Sequence, residues 1–185
     1  MRSSIVHTAA LMQHPDGCSD AVRAVGVRVR REAAGMLAIS YSIVGDLARV
    51  QVPGPRPPQF ADGLWEHTCC ECFIAREDRT EYHELNFSPS GEWAAYAFTT
   101  YRDGTPLTDD ALDPKIAVRK SAAALDVAMS IPLDRLSSEH RRATLVLGIA
   151  AVIEENEGVL SYWALRHPAG KPDFHQRDSF VLEIE

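Results

Sequence analysis

The sequence predicts an all-β protein: an antiparallel β-sandwich of the immunoglobulin or jelly-roll kind, with about ten strands and few short helices. Apolar side chains recur at every second position over most of the chain, which is the period of a half-buried strand. Turn-forming stretches such as SPSG, YRDGTP, ENEG and HPAGKPD separate these segments. The length of 185 residues suits one domain, and we expect a single domain over residues 1–185.

Three segments carry the clearest alternation. In AVRAVGVRVR, GMLAISYSIVG and AALDVAMSIPL, apolar side chains face one way and polar or small side chains face the other. This pattern is typical of antiparallel strands that bury one face. The side chains that we expect in the core are Val25, Val27, Val29, Leu37, Ile39, Tyr41, Ile43, Leu125, Val127, Met129 and Ile131.

Composition predicts the remaining elements. The stretch TLVLGIAAVIEE is apolar on both faces, which predicts a central strand. The segment 52–58 is rich in proline, so it is predicted to be neither a strand interior nor a helix. PLDRLSSEHRR is the one stretch that predicts a helical turn.

Charge and hydropathy limit the classes of function. The formal net charge is −7 and no basic stripe is present, which argues against nucleic acid and anionic membranes as partners. The N-terminal stretch lacks the long apolar core of a signal peptide, and no apolar run reaches the length of a membrane span. We therefore expect a cytoplasmic protein whose partner is a small molecule.

The cysteines predict buried thiols rather than a disulfide or metal site. They are Cys18, Cys69, Cys70 and Cys72. On a strand Cys69 points away from Cys70 and Cys72, so the three form a poor disulfide framework. A second ligand pair at the usual zinc spacing is missing from the sequence. We expect reduced thiols in a core strand, without a bound metal.

The stretch GLWEHTCCECFIA contains the first candidate binding residues. If it forms one strand, Trp65, His67 and Glu71 share a face, about 20 Å from the first to the last. An indole, an imidazole and a carboxylate in a row suit a polar ligand with apolar C–H faces. The alternative is that Trp65 packs in or beside the core and that Glu71 is an ordinary hydrogen-bonded residue.

The next predicted strand, in TEYHELNFSPSGEW, places Tyr82, Glu84 and Asn86 on one face. If the two strands form a hairpin, this face and the face of Trp65 and Glu71 coincide. The combined surface pairs flat rings with carboxylate and amide groups. Saccharide recognition requires this mixture, because rings stack on the sugar's C–H face and planar polar groups bind its hydroxyls.

The connection WALRHPAGKPDFHQRDSF, residues 163–180, is unusually rich in rings and hydrogen-bonding side chains. Its candidate ligand-binding residues are Trp163, Asp173, Phe174, His175 and Arg177. The prolines stiffen the segment, so it loses little entropy on binding. Two hypotheses stay open: the segment covers a ligand on the sheet, or Asp173 and Arg177 fix the last strand through internal hydrogen bonds.

Enzyme motifs are mostly absent from the sequence. It contains neither G-x-S-x-G nor H-E-x-x-H, and neither glycine-rich phosphate-binding fingerprint. Glu71 and Glu84 could act as the carboxyl pair of a glycoside hydrolase, for which their separation is decisive. We expect no catalytic residue, and keep a hydrolase as an alternative.

Three stretches together resemble a known family: DGLWEHTCCECFIA, YHELNFSPSGEWAAYAF and AVIEENEGVLSYWALRHPAGKPDFHQRDSF. They look like the bacterial DOMON-like domains, a group similar to family 9 carbohydrate-binding modules, and the likeness runs from about residue 25 to residue 184. The Trp–x5–Glu spacing of Trp65 and Glu71 resembles one edge of the sugar site in those modules. The resemblance implies a second aromatic partner, for which Trp163, Phe174 and His175 are the candidates.

The resemblance also bears on cofactors. Related domains bind haem, and calcium is implied by the same analogy, with TDDALDP as the acidic stretch in this sequence. The residues themselves predict no cofactor. The function expected is non-catalytic binding of a small polar ligand, such as a saccharide. A hydrolase using Glu71 or Glu84 and a structural or protein-interaction module are the alternatives.

Overall fold

Twelve β-strands make up most of the protein in a computed structural model, which describes residues 5–32, 35–108 and 112–185. The strands are β1 (Val6–Gln13), β2 (Val22–Arg31), β3 (Met36–Gly45), β4 (Cys69–Arg76), β5 (Tyr82–Phe87), β6 (Trp93–Thr100), β7 (Asp103–Pro106), β8 (Lys115–Lys120), β9 (Ala124–Pro132), β10 (Leu145–Glu154), β11 (Leu160–Ala164) and β12 (Leu182–Ile184). The helical segments are α1 (Leu133–Leu136) and 3₁₀ turns at Leu64–Glu66, Ser138–Arg141 and Arg177–Ser179.

The strands form two antiparallel sheets that pack face to face, which confirms the predicted β-sandwich. The first sheet has the order β8-β9-β3-β2-β1, and the second has the order β7-β6-β5-β4-β10-β11. Strand β10 pairs with β4 along one edge and with both β11 and β12 along the other. The end of β1 pairs with β11, which joins the two sheets. No helix in the described residues is long and apolar enough to cross a membrane.

The main core lies between the sheets and contains the side chains that alternation predicted. The inward faces of β2, β3 and β9 are buried throughout, including Leu37, Ile43 and Leu125. Strand β10 is buried on both faces, as its apolar sequence predicts. Across the core, the Tyr41 hydroxyl donates a hydrogen bond of 2.6 Å to the main-chain carbonyl of Glu71. This bond ties β3 of the first sheet to β4 of the second at a candidate site residue.

A second apolar cluster lies on the outer face of the second sheet. The connection between β11 and β12 places Phe174 and Phe180 there, against Phe73, Tyr82 and neighbouring small residues. The ring of Phe180 approaches the backbone closely, since a Cβ added to Gly148 would lie 2.7 Å from it. The connection therefore acts as a cover packed on the sheet.

Two local predictions were wrong. Trp65 does not lie on a strand: it is in the 3₁₀ turn Leu64–Glu66, and β4 begins only at Cys69. The turn follows Gly63 at a φ of +74°, a backbone conformation that favours glycine and redirects the chain. The stretch YRDGTP was interpreted as a turn, but its residues Asp103–Pro106 pair with β6 as a short edge strand.

The thiols lie as predicted. Cys69, Cys70 and Cys72 are free and buried, and Cys18 is free and exposed. Cys70 and Cys72 belong to the core between the sheets, whereas Cys69 points to the other face of β4. The 52–58 segment forms neither strand nor helix, which confirms the prediction made from its prolines.

Replacing Gly148 by alanine should loosen the cover. The added methyl group would collide with Phe180 and press on the Cβ of Phe73, 3.3 Å away. We expect a loss of about 1–3 kcal/mol in the free energy of unfolding, measured by chemical denaturation. Gly26→Ala is the matched control, because this strand glycine has nothing within 4 Å of an added Cβ. Equal effects of the two substitutions would contradict the predicted clash.

Candidate functional site

A cavity of about 480 Å³ opens on the outer face of the second sheet, beside the second apolar cluster. Strands β4, β5, β6, β10 and β11 supply its floor, and the connection before β12 supplies one wall. The 3₁₀ turn that carries Trp65 stands at another side. Rings and charged groups share this lining, which is the composition expected of a site for a polar ligand with apolar faces.

The hairpin of β4 and β5 builds the polar floor. Glu71 lies directly opposite Asn86, and Phe73 lies directly opposite Glu84. Residues opposite each other in an antiparallel pair point to the same face, so Glu71, Glu84 and Asn86 share the outer face. The predicted coincidence of the two strand faces is thereby confirmed for these three residues.

Glu71 is the most buried carboxyl group in the cavity, with 3% of its surface exposed. Burial, and next the nearby Glu84 carboxylate, raise its pKa well above the ordinary value of 4.5. Its Oε1 atom is buried and has no hydrogen-bond partner in the described part of the chain. Glu71 therefore favours its protonated form more than an exposed glutamate does, and it places an unsatisfied carboxyl oxygen beside the cavity.

Glu84 is also buried, with 5% of its surface exposed, but it accepts a hydrogen bond. Asn86 donates to its Oε1 at 2.8 Å, and His175 Nε2 lies 3.5 Å from its Oε2. Burial raises its pKa to about 7, although the Asn86 bond and the charge of Arg102 work in the opposite direction. The Asn86 bond and the Arg102 charge thus favour the ionised form of Glu84.

A chain of hydrogen bonds leads to Glu84 from the loop after β6. The main-chain N–H of Arg102 donates to the Tyr82 hydroxyl at 3.1 Å, and that hydroxyl lies 2.8 Å from His175 Nδ1. Burial, and then the charge of Arg102, lower the pKa of His175 to about 4, so its ring is neutral. In the tautomer in which Tyr82 donates to Nδ1, Nε2 carries the ring proton and faces Glu84.

Asp173 fixes the wall of the cavity to the sheet. It accepts from the Tyr101 hydroxyl at 2.6 Å and from Arg102 Nη2 at 2.9 Å. Burial raises the pKa of Asp173. The hydrogen bonds from Tyr101, Gln176 and the His175 amide, together with the charge of Arg102, lower it by more. The pKa of Asp173 is therefore lowered overall, so the carboxylate is ionised and forms an ion pair with the Arg102 guanidinium.

Trp65 is the exposed ring of the site. Its surface is 40% exposed, and its indole meets the Tyr96 ring edge to face with centroids 5.7 Å apart. The Tyr96 hydroxyl donates to Asp62 at 2.6 Å, just before the turn. The turn therefore holds one face of the indole toward solvent beside the carboxyl pair, although Trp65 and Glu71 do not share a strand.

Five of the predicted binding residues do not line the cavity. Tyr82 and Asn86 lie behind its surface and act through His175 and Glu84. His67 is exposed and bonds to Glu154 at 2.8 Å. The other two are Trp163 and Arg177.

Trp163 faces the core between the sheets, with 4% of its surface exposed, and its indole N–H donates to Ser161. Its neighbour Tyr162 lines the cavity instead, because adjacent residues of a strand face opposite sides. Arg177 donates to the main-chain carbonyl of Arg76 at 2.6 Å and lies over the Phe180 ring. The connection thus covers the sheet and also fixes the last strand, so features of both hypotheses for this segment are present.

Sequence reasoning missed several residues of the lining, notably Arg102, Tyr96, Phe98 and Tyr162. Arg102 stands in a loop at a φ of +57°, which alternation does not predict. Tyr96 and Phe98 were detectable: they alternate in WAAYAF of β6 and lie near Glu84 and Tyr82 in the strand register. Counting outward-facing rings on every strand beside the hairpin would have found them.

Metal ligands do not converge here. Within residues 5–32, 35–108 and 112–185, no three His, Cys, Asp or Glu side chains are grouped to hold a metal ion. The acidic stretch TDDALDP is only partly described, since residues 109–111 lie outside those ranges.

Several solved structures have a similar fold. A protein from Bacteroides uniformis, provisionally described as carbohydrate-binding, is 14% identical, with a TM-score of 0.65 over 95% of this chain and 84% of that chain. A family 9 carbohydrate-binding module from Caldicellulosiruptor kristjanssonii in complex with cellotriose is 11% identical, with a TM-score of 0.51 over 87% and 74% of the two chains. A module of the same family and organism in complex with glucose is 11% identical, with a TM-score of 0.52 over 95% and 83%.

At these identities the likeness shows the fold alone. No protein-family model matches the sequence, and no curated protein matches it significantly.

The stability of Glu84→Gln relative to the wild type should depend on pH. A carboxyl group with a pKa of about 7 when folded and about 4.5 when unfolded binds its proton more tightly in the folded state. The free energy of unfolding that it contributes is therefore lost as the pH rises from about 5 to about 8. This linkage is on the order of 3 kcal/mol, and glutamine lacks it.

The measurement is denaturant unfolding of both proteins at several pH values. His83, His140 and His175, each with its pKa lowered to about 4 mainly by burial, act in the opposite direction. They are present in both proteins, so the difference reports Glu84 together with its effect on Glu71. Glu66→Gln at the rim is the control and should follow the wild type. A wild-type advantage that grows with pH would refute the assignment.

Proposed function

We propose that this chain binds a saccharide in the cavity without catalysing its conversion. The observation that supports this most directly is the exposed indole of Trp65 beside the buried carboxyl group of Glu71 in one cavity. The two groups offer a stacking surface and a hydrogen-bonding group within the reach of one small ring. Saccharides present both partners, an apolar C–H face and a periphery of hydroxyls.

The polar lining suits hydroxyl groups in particular. A protonated Glu71 donates and an ionised Glu84 accepts, while each hydroxyl of a sugar can do both. Arg102 and Asp173 are already bonded to each other, so they present a fixed pair at the wall. Because the connection is held in place before any ligand arrives, little conformational entropy is lost on binding.

The solved structures with a similar fold favour the same ligand class. Two of them are family 9 carbohydrate-binding modules, in complex with cellotriose and with glucose. The sandwich fold is compatible with many functions, so the argument rests on the cavity and the likeness adds to it. Membership of the DOMON-like group, a cytoplasmic location and independence of a cofactor stay predictions from the sequence.

One observation favours a hydrolase as the second candidate. Glu71 and Glu84 have raised pKa values, as the acid of a glycoside hydrolase does. Binding is the better-supported function because both carboxyl groups are almost fully buried, one beside an open stacking ring. A purely structural role would leave the outer face filled with side chains, whereas this face contains an open cavity.

Trp65→Ala should remove saccharide binding and leave folding nearly intact. An exposed ring that stacks on a ligand is typically worth about 1–3 kcal/mol to binding. We expect a loss of about ten- to a hundredfold in affinity for glucose or cello-oligosaccharides, measured by calorimetry, with little change in the melting temperature. Val118→Ala, which truncates an exposed side chain on β8, is the control for both readouts.

A different outcome would identify a different role. Large destabilisation of Trp65→Ala, with no saccharide bound by the wild type, would refute the binding function. Release of reducing sugar from an oligosaccharide by the wild type, abolished in Glu71→Gln, would establish the hydrolase instead.

A further inference from the structure

The geometry points to a saccharide that carries a primary amine, whose ammonium group lies between the carboxylates of Glu71 and Glu84. This inference rests on the proposed saccharide binding and specifies its ligand class. Its starting point is a lack of hydrogen-bond donors on the cavity floor, joined to an excess of negative charge.

The first observation is the unsatisfied oxygen of Glu71. Oε1 is buried, lies in a residue that lines the cavity, and has no partner in the described part of the molecule. Asn86, directly opposite in the strand register, also has a buried side-chain oxygen without a partner among those residues. A protonated Glu71 can satisfy this corner by donating its O–H to the Asn86 side-chain oxygen, but once Glu71 is ionised both oxygens need a donor from outside. A group with several N–H donors would satisfy this corner better than a hydroxyl with one.

The second observation is the charge around the pair. The turn before β4 contributes Glu66, and the connection before β12 contributes Asp173 and His175. His175 is neutral because its pKa is lowered to about 4. Tyr96 from β6 and Tyr82 from β5 are neutral, since burial raises the pKa of each hydroxyl.

Among the described residues, Arg102 is the one permanent cation of this lining, and it is already engaged. Its guanidinium bonds to Asp173 and to the Tyr101 hydroxyl. It lowers the pKa of Glu71 and of Glu84 only against the larger effect of burial. The carboxyl pair therefore lacks a counter-ion of its own, and a ligand cation would supply one.

The third observation concerns the type of cation. A metal ion requires several converging ligands, and the described residues contain no group of three His, Cys, Asp or Glu side chains for it. A primary ammonium group needs only hydrogen-bond acceptors, of which the Glu71 and Glu84 carboxylates offer up to four oxygens. Trp65 at the rim can stack on the sugar ring that carries the amine, as it would on a neutral sugar.

The proton balance follows from this arrangement. In the free protein the pair holds a proton near neutral pH, and an arriving ammonium group favours two carboxylates. Binding of an amine that is already protonated therefore releases a proton from the pair to the solvent, whereas an unprotonated amine takes up that proton itself and leaves no net release. The preference for an amino sugar over its neutral counterpart should grow between pH 5.5 and pH 7.5, as Glu84 ionises with a pKa of about 7.

The test compares matched sugars by isothermal titration calorimetry. The probes are glucosamine and 6-amino-6-deoxyglucose, with N-acetylglucosamine and glucose as neutral controls. We expect one of the amino sugars to bind at least about tenfold more tightly than glucose at pH 7.5, with a smaller ratio at pH 5.5. Titrations in two buffers of different ionisation enthalpy, at a pH low enough that the free amine is fully protonated, should show proton release with that amino sugar and not with glucose.

Variants assign the effect to the pair. Glu71→Gln and Glu84→Gln should each bring the ratio of amino sugar to glucose close to one, while Asp126→Asn, at an exposed carboxyl group on β9 of the first sheet, should keep it. If Glu71→Gln fails to fold in a thermal melt, Glu84→Gln alone decides. A preference that survives in the folded pair variants would place the amine elsewhere and overturn the inference.

The outcomes separate this inference from the proposed function. Equal or tighter binding of glucose or N-acetylglucosamine would overturn the amine inference and leave saccharide binding standing. Binding of none of the four sugars, at millimolar concentration and either pH, would overturn both. Tight binding of calcium or zinc ions alone, abolished in Glu71→Gln, would replace the amine with a metal ion.

Discussion

Burial of two carboxyl groups on the outer face of a sheet is the constraint on which the candidate site depends. An outer sheet face is ordinarily solvated, and carboxyl groups there keep their ordinary pKa values. Here the connection before β12 packs Phe174 and Phe180 over that face and encloses Glu71 and Glu84 beside them. The apolar cover and the polar floor are therefore one construction, in which burial sets the protonation of the pair and leaves Glu71 with an unsatisfied oxygen.

Apart from the approach of His175 to Glu84, the contacts that hold the cover do not involve the carboxyl pair. Asp173 joins it to Arg102 in the loop after β6, and Arg177 joins it to the end of β4. The main-chain carbonyl of Glu71 is held from below by the Tyr41 hydroxyl of the first sheet. Because these contacts remain when a carboxyl group changes its protonation, the site can exchange a proton for a ligand without rearrangement of its walls. That property favours binding with a small entropic cost.

The sequence predicted the elements whose pattern is periodic and local. Alternation identified the core faces of β2, β3 and β9, and it correctly placed Glu71, Glu84 and Asn86 on one face of a hairpin. The alternation pattern failed where the conformation of a single residue changes the direction of the chain. One positive φ at Gly63 moves Trp65 off the strand, yet long-range packing still brings the ring to the predicted cavity.

Trp163 shows a different limit of prediction from sequence, which comes from the alternation of side chains between the two faces of a strand. Tyr162 and Trp163 are adjacent on β11, so only one of them can face the cavity, and composition does not say which. The strand register decides: Tyr162 lies opposite Val152 on the outer face, and Trp163 lies opposite Ala151 in the core. The phenol, rather than the larger indole, is thereby placed at the site, and Trp65 is the tryptophan that lines the cavity. A sugar in this cavity would accordingly stack on one exposed indole and be held at its periphery by the carboxyl pair, which makes the chemistry of that pair decisive for the choice of ligand.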